Sequence, residues 1–308
     1  MILLYSCKIT FYVVTLLTEA KKIKMKVESN IMKNLTGFAF GTIAMVAIST
    51  FAQAGEVLDK VMKEKTMMIA TNSEYPPASY LNSQGEFEGF DVDVSKELAK
   101  RMGVEAKFMN PAWEAITSGK WGDRWQAAIG SMTPTPARAE VLDFPAVYYF
   151  TPAAVYVHQN ASYKTLADLK GKKIGASAGS TYEAYLSKKL TLDSDYSPTF
   201  DYLVEPGEIR TYETDTNVMD DLRLGDGVRL DAGISSIPNI HEAMKNGYPL
   251  RIVGQSVFYE PLAVVVAKGD PEFSSKVKNI IEEMRSDGTL KALSVKWFGV
   301  DLVTTSFD

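Results

Sequence analysis

Short apolar or β-branched segments alternate with amphipathic helical patterns along most of this 308-residue chain. Residues 67–70 predict a strand, residues 91–102 carry apolar side chains on one helical face, and residues 104–109 predict another strand. This alternation constrains the fold to parallel α/β units. Further strands are predicted at 127–129, 153–157, 173–176 and 263–267, with an amphipathic helix at 271–288.

The N-terminal part of the chain differs from the rest. A charged start at 32–34, an apolar stretch over 35–51 and an Ala-Gln-Ala sequence at 52–54 are typical of a secretory signal peptide. The apolar stretch is short for a transmembrane anchor, so we predict a signal peptide within residues 1–54 that is cleaved at its end. We interpret residues 1–31 as the result of a start codon assigned too early, with Met32 or Met25 as the true start. Alternatively, they form a second hydrophobic anchor.

Composition argues against several classes of protein. The formal net charge of −5 argues against a basic nucleic-acid-binding face, so no nucleic-acid partner is expected. The single cysteine, Cys7, excludes an internal disulfide and a cysteine-rich zinc site, and His158 and His241 lie far apart in the chain. The chain has no dinucleotide, phosphate-loop or G-x-S-x-G motif. We therefore predict no metal, no cofactor and no catalytic residue.

A helix start follows the predicted strand that ends at Ile129. The Thr-Pro pair at 135–136 fits the N-cap and first helical position, which places Arg138 in the first turn. Arginine is unfavourable at the positive end of a helix dipole unless an anion lies there, and a guanidinium matches a carboxylate bidentately. Arg138 is therefore a candidate anion-binding residue. Alternatively, it is a surface arginine that pairs with Asp123 or Glu140.

A second helix start follows the strand predicted at 173–176. Ser180 and Glu183 have the spacing of a capping box. A helix N-terminus in this position offers free backbone N–H groups to an anion. The simpler local interpretation is a well-capped helix without a ligand.

The segment at 72–77 follows the first predicted strand and combines an acid, Glu74, with an aromatic residue, Tyr75, and a rigid Pro-Pro turn. Ligands of open α/β sheets bind at the carboxyl ends of the strands, so this segment is a third candidate. Trp113 and Trp125 are further aromatic candidates, although a lone tryptophan more often belongs to the core.

Together these segments resemble the family 3 extracellular solute-binding proteins, the periplasmic polar amino acid receptors of ABC importers. The resemblance runs from about Thr66 to Phe298, and its motifs are specific in combination. The matching segments are 74–77, 89–93, 130–133, 138–140, 143–144, 168–175 and 179–181.

The resemblance implies an α/β, two-lobed periplasmic-binding-protein fold of type II, with two crossover strands joining the lobes. The first lobe would comprise residues 55–152 and 257–308, and the second residues 153–256. The implied function is a monomeric periplasmic receptor that captures a small carboxylate, most simply an amino acid. Its partner would be an ABC permease in the inner membrane.

The resemblance also assigns roles to side chains. Arg138 would clamp the ligand α-carboxylate, assisted by backbone N–H groups and by the hydroxyls of Ser131 and Thr133. The Thr181 amide would approach from the other lobe. The residues assigned to the ligand site are Glu74, Tyr75, Trp113, Gly130, Ser131, Thr133, Arg138, Ser180, Thr181 and Ser236.

One position departs from the family pattern. Ser236 stands where family members usually place the aspartate that holds the ligand α-ammonium. Either another acid, such as Glu74 or Glu260, holds the ammonium, or the ligand is not a standard α-amino acid. The alternative function is a periplasmic enzyme on the same fold, a dehydratase-like protein in which Glu74 or Glu260 would be the general acid.

Overall fold

The computed structural model of the protein describes residues 55–192 and 197–304. The predicted signal peptide within residues 1–54 lies outside the described residues and stays a prediction. The described residues form strands β1 (Thr66–Ala70), β2 (Glu74–Tyr75), β3 (Ser79–Leu81), β4 (Phe87–Glu88), β5 (Glu105–Met109), β6 (Ala127–Met132), β7 (Leu142–His158), β8 (Lys173–Ser177), β9 (Glu208–Tyr212), β10 (Ala232–Ser236) and β11 (Leu250–Ala267).

The same residues form helices α1 (Glu56–Glu64), α2 (Phe90–Met102), α3 (Trp113–Thr117), α4 (Pro136–Ala139), α5 (Thr181–Leu186), α6 (Asp215–Leu222), α7 (Ile237–Lys245), α8 (Pro271–Ser286) and α9 (Thr289–Phe298), with a 3₁₀ turn at Leu166–Leu169.

Eight of the strands form one sheet in the order β5-β1-β6-β11-β7-β10-β8-β9. β1 pairs in parallel with β5 and β6, and β8 pairs in parallel with β9 and β10. The long strands β7 and β11 run antiparallel to each other between these two parallel groups. We call the β1, β5 and β6 side the first half and the β8, β9 and β10 side the second half. The predicted parallel α/β units are confirmed.

The two long strands are the main difference from the sequence prediction. The strands predicted at 153–157 and 263–267 are the ends of β7 and β11, which have 17 and 18 residues. Prolines and polar residues inside both strands hid their length in the sequence. The ladder between them includes Pro152 and Pro261, which pair with Tyr259 and Phe150. One of its register shifts lies between Val253 and Phe258, where Gly254 adopts a φ of +70°.

Apolar side chains bury both faces of each half. In β7, Ala153, Val155 and Val157 belong to one cluster, whereas Ala154 and Tyr156 belong to another. Successive strand residues point to opposite faces, so these two clusters cover opposite faces of the second half. The first half likewise has one cluster beneath α2 and α8 and another around Trp121 and Trp125.

Helix ends follow the signals in the sequence. The helix predicted at 91–102 begins one residue earlier, and Gly103 with a φ of +79° caps its end. α8 begins where the Asp270 carboxylate accepts a hydrogen bond from the Phe273 N–H at 2.8 Å. The predicted 271–288 helix ends at Ser286, and α9 follows as a separate helix.

No helix within residues 55–192 and 197–304 is long and apolar enough to cross a membrane. This part of the chain also has no group of three or more His, Cys, Asp or Glu side chains that could bind a metal ion. His158 ends β7, where its Nδ1 accepts a hydrogen bond from the Asn160 N–H at 3.2 Å, and His241 lies on α7.

The start of α2 fixes the turn that carries Tyr75. The Phe90 and Asp91 amides donate to the carbonyls of Pro77 and Ala78 at 3.1 and 2.8 Å. Gly89 permits this approach with a φ of +130°, and a Cβ there would lie 2.2 Å from the Ala78 carbonyl oxygen. Only glycine fits this position.

We therefore expect Gly89→Ala to destabilise the protein by about 2–4 kcal/mol, because it combines an unfavourable φ with a backbone overlap. Gly85→Ala is the matched control, since Gly85 also has a positive φ of +77° but a methyl group added there would meet no atom within 4 Å. It should cost only about 1 kcal/mol. Chemical denaturation measures both, and equal losses would contradict the overlap argument.

Candidate functional site

A cavity lies where the carboxyl ends of the parallel strands of both halves meet. Its interior volume is about 80 Å³. The lining residues lie at or soon after the carboxyl ends of β1, β5, β6, β8 and β9, or belong to β11. They are Asn72, Glu74, Tyr75, Trp113, Gly130, Ser131, Thr133, Arg138, Ser177, Ala178, Ser180, Thr181, Tyr182, Glu213, Thr214, Asp215 and Glu260.

The structure brings nine of the ten sequence-predicted site residues to this cavity. Ser236 does not line it, although it lies directly behind the lining residue Tyr75. Sequence reasoning missed Tyr182 and Asp215, and it offered Glu260 only as an alternative acid. An acid at the first position of a helix is ordinary, because it complements the helix dipole, so Asp215 carried no distinguishing signal.

Arg138 lies in the first turn of α4, which Thr135 caps. Its Nη1 donates to the Thr133 carbonyl at 2.7 Å and its Nη2 donates to the Gly179 carbonyl of the second half at 3.0 Å. The guanidinium carbon is 5.3 Å from the centre of the Trp113 ring. Burial lowers the pKa of Arg138 to about 10, so the group stays charged at neutral pH.

The alternative pairing of Arg138 with a surface acid is wrong. Asp123 pairs with Lys60 at 3.5 Å instead. Within the described ranges, no carboxylate oxygen, including that of Glu140, lies within 4 Å of the Arg138 guanidinium. Its two hydrogen bonds go to backbone carbonyls, and the charge of Glu260 stabilises the guanidinium only from beyond ion-pair distance.

Tyr75 links the two halves through its hydroxyl group. The hydroxyl donates to Ser236 Oγ at 2.8 Å and lies 3.0 Å from the Tyr182 hydroxyl. Ser236 Oγ also accepts from the Asn239 amide as the N-cap of α7. Burial, with the nearby charges of Asp215 and Glu260, raises the Tyr75 pKa far above its usual range, so the phenol stays neutral.

Ser131 uses its polar groups inside the protein. Its hydroxyl donates to the Asp91 carboxylate at 2.7 Å and lies 2.5 Å from the Tyr149 hydroxyl. The Tyr148 hydroxyl donates to the other Asp91 oxygen at 2.6 Å. The hydroxyl of Ser131 therefore serves Asp91, in contrast to the expectation that it assists a ligand carboxylate.

The Ser180 and Glu183 pair forms the expected helix cap. Ser180 Oγ accepts from the Glu183 amide at 3.1 Å and donates to the Ser177 carbonyl at 2.6 Å. The Glu183 carboxylate accepts from the Gly179 amide at 2.7 Å. The side chain of Ser180 therefore acts as a cap, as the simpler interpretation predicts.

Glu260 lies on β11 between the two halves and is 2 % exposed. Its Oε1 accepts hydrogen bonds from the hydroxyls of Thr133, at 2.8 Å, and of Thr181. Burial raises the pKa of Glu260, whereas these hydroxyls and the charge of Arg138 lower it. Glu260 thus connects one hydroxyl of each half through a single carboxylate oxygen.

Asp215 is the first residue of α6 and is 5 % exposed. Its Oδ2 accepts from the Ser235 hydroxyl at 2.8 Å, and Ser235 Oγ in turn accepts from the Asn239 side-chain amide at 3.0 Å. Its Oδ1 makes no hydrogen bond of acceptable geometry within residues 55–192 and 197–304, although the Ser177 side chain is near enough to lower the pKa of Asp215. Burial raises the pKa of Asp215 to about 6, so it is ionised at neutral pH.

Comparison with known proteins gives a consistent result. The family model of the bacterial extracellular solute-binding proteins, family 3, matches residues 67–300. The L-cystine-binding protein TcyJ of Escherichia coli K12 is 30 % identical over 267 residues, which cover 86 % of this chain and 94 % of that protein. The L-arginine-binding protein of Pseudomonas aeruginosa is 28 % identical over 280 residues, or 88 % of this chain and 98 % of that protein.

A solved structure supports the same architecture. The crystal structure of an ancestral amino acid-binding protein, described as a precursor of cyclohexadienyl dehydratase, has a TM-score of 0.67 and 28 % identity. It covers 78 % of this chain and 99 % of its own. The predicted two-lobed α/β fold is confirmed.

The environment of Asp91 predicts a pH effect on stability. Asp91 is fully buried, and burial raises its pKa from 3.8 to about 6. Because the folded state holds this proton more tightly than the unfolded state, stability from this group falls as pH rises from about 4 to about 6. The expected loss is about 3 kcal/mol.

We expect Asp91→Asn to remove this pH dependence. Between pH 4 and pH 7, the unfolding free energy of wild type should fall by about 3 kcal/mol relative to that of Asp91→Asn. Urea denaturation of both proteins across this pH range measures the difference. The contributions of the other buried acids cancel in it because both proteins contain them. A difference that is flat or has the opposite slope would contradict the raised pKa.

Proposed function

This chain belongs to family 3 of the bacterial extracellular solute-binding proteins, and we propose that it is the receptor that captures an amino acid for an ABC importer. The observation that carries this proposal is the charged guanidinium of Arg138, which lines the cavity with no carboxylate of the described chain within 4 Å. A ligand carboxylate would compensate that charge in a bidentate geometry.

The remaining charges of the cavity favour a ligand that also carries an amine. Four acids line it alongside the one arginine: Glu74, Glu213, Asp215 and Glu260. A zwitterion places one negative and one positive group in such a site, whereas a dicarboxylate would face uncompensated acids. Polar amino acids therefore match the lining better than plain organic acids.

We propose that the protein binds its ligand and releases it chemically unchanged. The relatives from Escherichia coli and Pseudomonas aeruginosa are both named as binding proteins. An enzyme is the rival proposal, because the similar ancestral protein is described as a precursor of a dehydratase. Glu260 would be its general acid, but the Glu260 oxygen that faces Thr133 and Thr181 already accepts two hydroxyl hydrogen bonds, which supports a structural role.

We propose lobe boundaries at 55–152 plus 257–308 and at 153–256. The division of the apolar clusters along β7 supports the boundary after 152, because Tyr148 and Tyr149 pack in the first half and Ala153 packs in the second. On β11, Val257 and Phe258 still pack in the second half, and Leu262 packs in the first. β7 and β11 would then be the two crossover strands, and the protein would act as a monomer that meets a permease of the inner membrane.

We propose that the protein works in the periplasm after removal of a signal peptide. The charged start, apolar stretch and Ala-Gln-Ala ending of residues 32–54 support this. The exported protein should begin at Gly55. N-terminal sequencing of protein recovered from the periplasmic fraction tests this, and the recovery of any residue before Gly55 would contradict it.

Calorimetric titration with a panel of polar L-amino acids, including arginine and cystine, tests the proposed function. At least one should bind, and mass spectrometry should recover it unchanged. Arg138→Ala should weaken that binding by roughly 30-fold to several thousand-fold, because it leaves a buried ligand carboxylate unpaired. Arg138→Lys should restore little, since an ammonium group cannot reproduce the planar fork.

Arg124→Ala is the matched control for Arg138→Ala. The Arg124 guanidinium donates to the carbonyls of Trp121, at 2.9 Å, and Lys120, at 3.0 Å, and stacks on Trp125, but it does not line the cavity. Its removal should change affinity by less than about threefold. If both variants lose affinity equally, or Arg138→Ala binds within about threefold of wild type, the carboxylate assignment is wrong.

A further inference from the structure

The proposed receptor function leaves the ligand amine without an assigned partner, because Ser236 has no charge and does not line the cavity. Resting on that proposed function, we infer that Asp215 binds the α-ammonium group of the ligand. This assignment makes Asp215 the residue that distinguishes amino acids from hydroxy acids and other carboxylates without an amine.

The position of Asp215 supports the assignment. Its Oδ2 accepts a hydrogen bond from Ser235, the residue directly before Ser236. The Asn239 side chain holds Ser235 in turn. The carboxylate of Asp215 therefore lies beside the end of β10, where the family resemblance expects an aspartate. Asp215 starts α6 and is distant from β10 in the sequence, but its carboxylate lies close to the end of β10 in space.

The unpartnered oxygen of Asp215 also supports the assignment. Oδ1 is buried and has no hydrogen-bond partner within residues 55–192 and 197–304, although Asp215 lines the cavity. A buried carboxylate oxygen without a partner is unfavourable, and folded proteins usually satisfy such groups. An ammonium group in the cavity supplies three N–H donors and a compensating charge.

The other acids of the cavity are weaker candidates. Glu260 Oε1 is occupied by the hydroxyls of Thr133 and Thr181. Glu74 and Glu213 are exposed, so water solvates them and screens their charge. Among these acids, Asp215 alone is both buried and left with an unpartnered oxygen in the described chain.

Arg138 and Asp215 belong to opposite halves and line the same cavity. A ligand that satisfies both must carry a carboxylate and a protonated amine close together, which defines an α-amino acid. The 2-hydroxy acid of the same side chain keeps the carboxylate but would leave Asp215 Oδ1 facing a weak neutral donor. The ratio of the affinity for the amino acid to the affinity for the matching 2-hydroxy acid therefore measures the role of Asp215 directly.

The experiment compares wild type with Asp215→Asn by calorimetry on matched ligand pairs. The pairs are L-arginine with argininic acid, L-histidine with imidazolelactic acid, and L-glutamate with 2-hydroxyglutaric acid. For each amino acid that binds, Asp215→Asn should weaken binding by at least about 30-fold, and it should change the affinity of the hydroxy acid by less than about threefold.

Asp220→Asn is the matched control, because Asp220 lies on the same helix outside the cavity and accepts a hydrogen bond from the Tyr248 hydroxyl. It should leave the preference for the amine unchanged.

If Asp215→Asn lowers only the melting temperature and keeps that preference, Asp215 is structural and the inference fails. If wild type binds each hydroxy acid as tightly as its amino acid, the inference also fails while the receptor function stands. If no amino acid of the full panel binds wild type, the proposed function itself fails.

Discussion

The antiparallel pairing of β7 with β11 joins the two halves of the sheet. These two strands occupy the centre of the eight-stranded sheet, and each continues from one half into the other. Near the middle of this ladder Glu260 pairs with Thr151, which brings a buried carboxylate to the boundary between the halves. Strands on either side then run parallel, so their carboxyl ends meet around this carboxylate.

Three buried acids occur around the cavity, and hydroxyl groups rather than cations solvate each of them. Asp91 is held by Ser131 and Tyr148, Asp215 by Ser235, and Glu260 by Thr133 and Thr181. Hydroxyl donors stabilise a buried charge less than an ion pair does, which agrees with the raised pKa of each acid. With a pKa of about 6, Asp215 is still ionised at neutral pH, so its negative charge can interact with a positively charged group in the cavity.

The sequence allowed much of the fold to be predicted, because local signals determine it. Gly103 ended its helix, Thr135 capped α4 and placed Arg138, and the apolar runs marked the strands of the parallel groups. The full length of β7 and β11 could not be predicted, since prolines interrupt the strand pattern of the sequence and only the pairing of the two strands shows that Pro152 and Pro261 lie within the ladder. The hydrogen bond between Ser235 and Asp215 joins residues 20 positions apart in the sequence, so no local sequence pattern could predict it.

The carbonyl of Gly179 joins the two halves at the cavity, so residues that bind this carbonyl influence the measured ligand affinity. This one oxygen accepts hydrogen bonds from both the Trp113 indole, at 3.4 Å, and the Arg138 guanidinium, and both donors come from the first half. Separation of the halves would break both bonds together. The juxtaposed arrangement therefore carries its own stabilisation, and an observed dissociation constant equals the intrinsic constant divided by the fraction of molecules in that arrangement. A substitution at Trp113 would weaken apparent binding by depopulating that arrangement, even for a ligand that never contacts the indole.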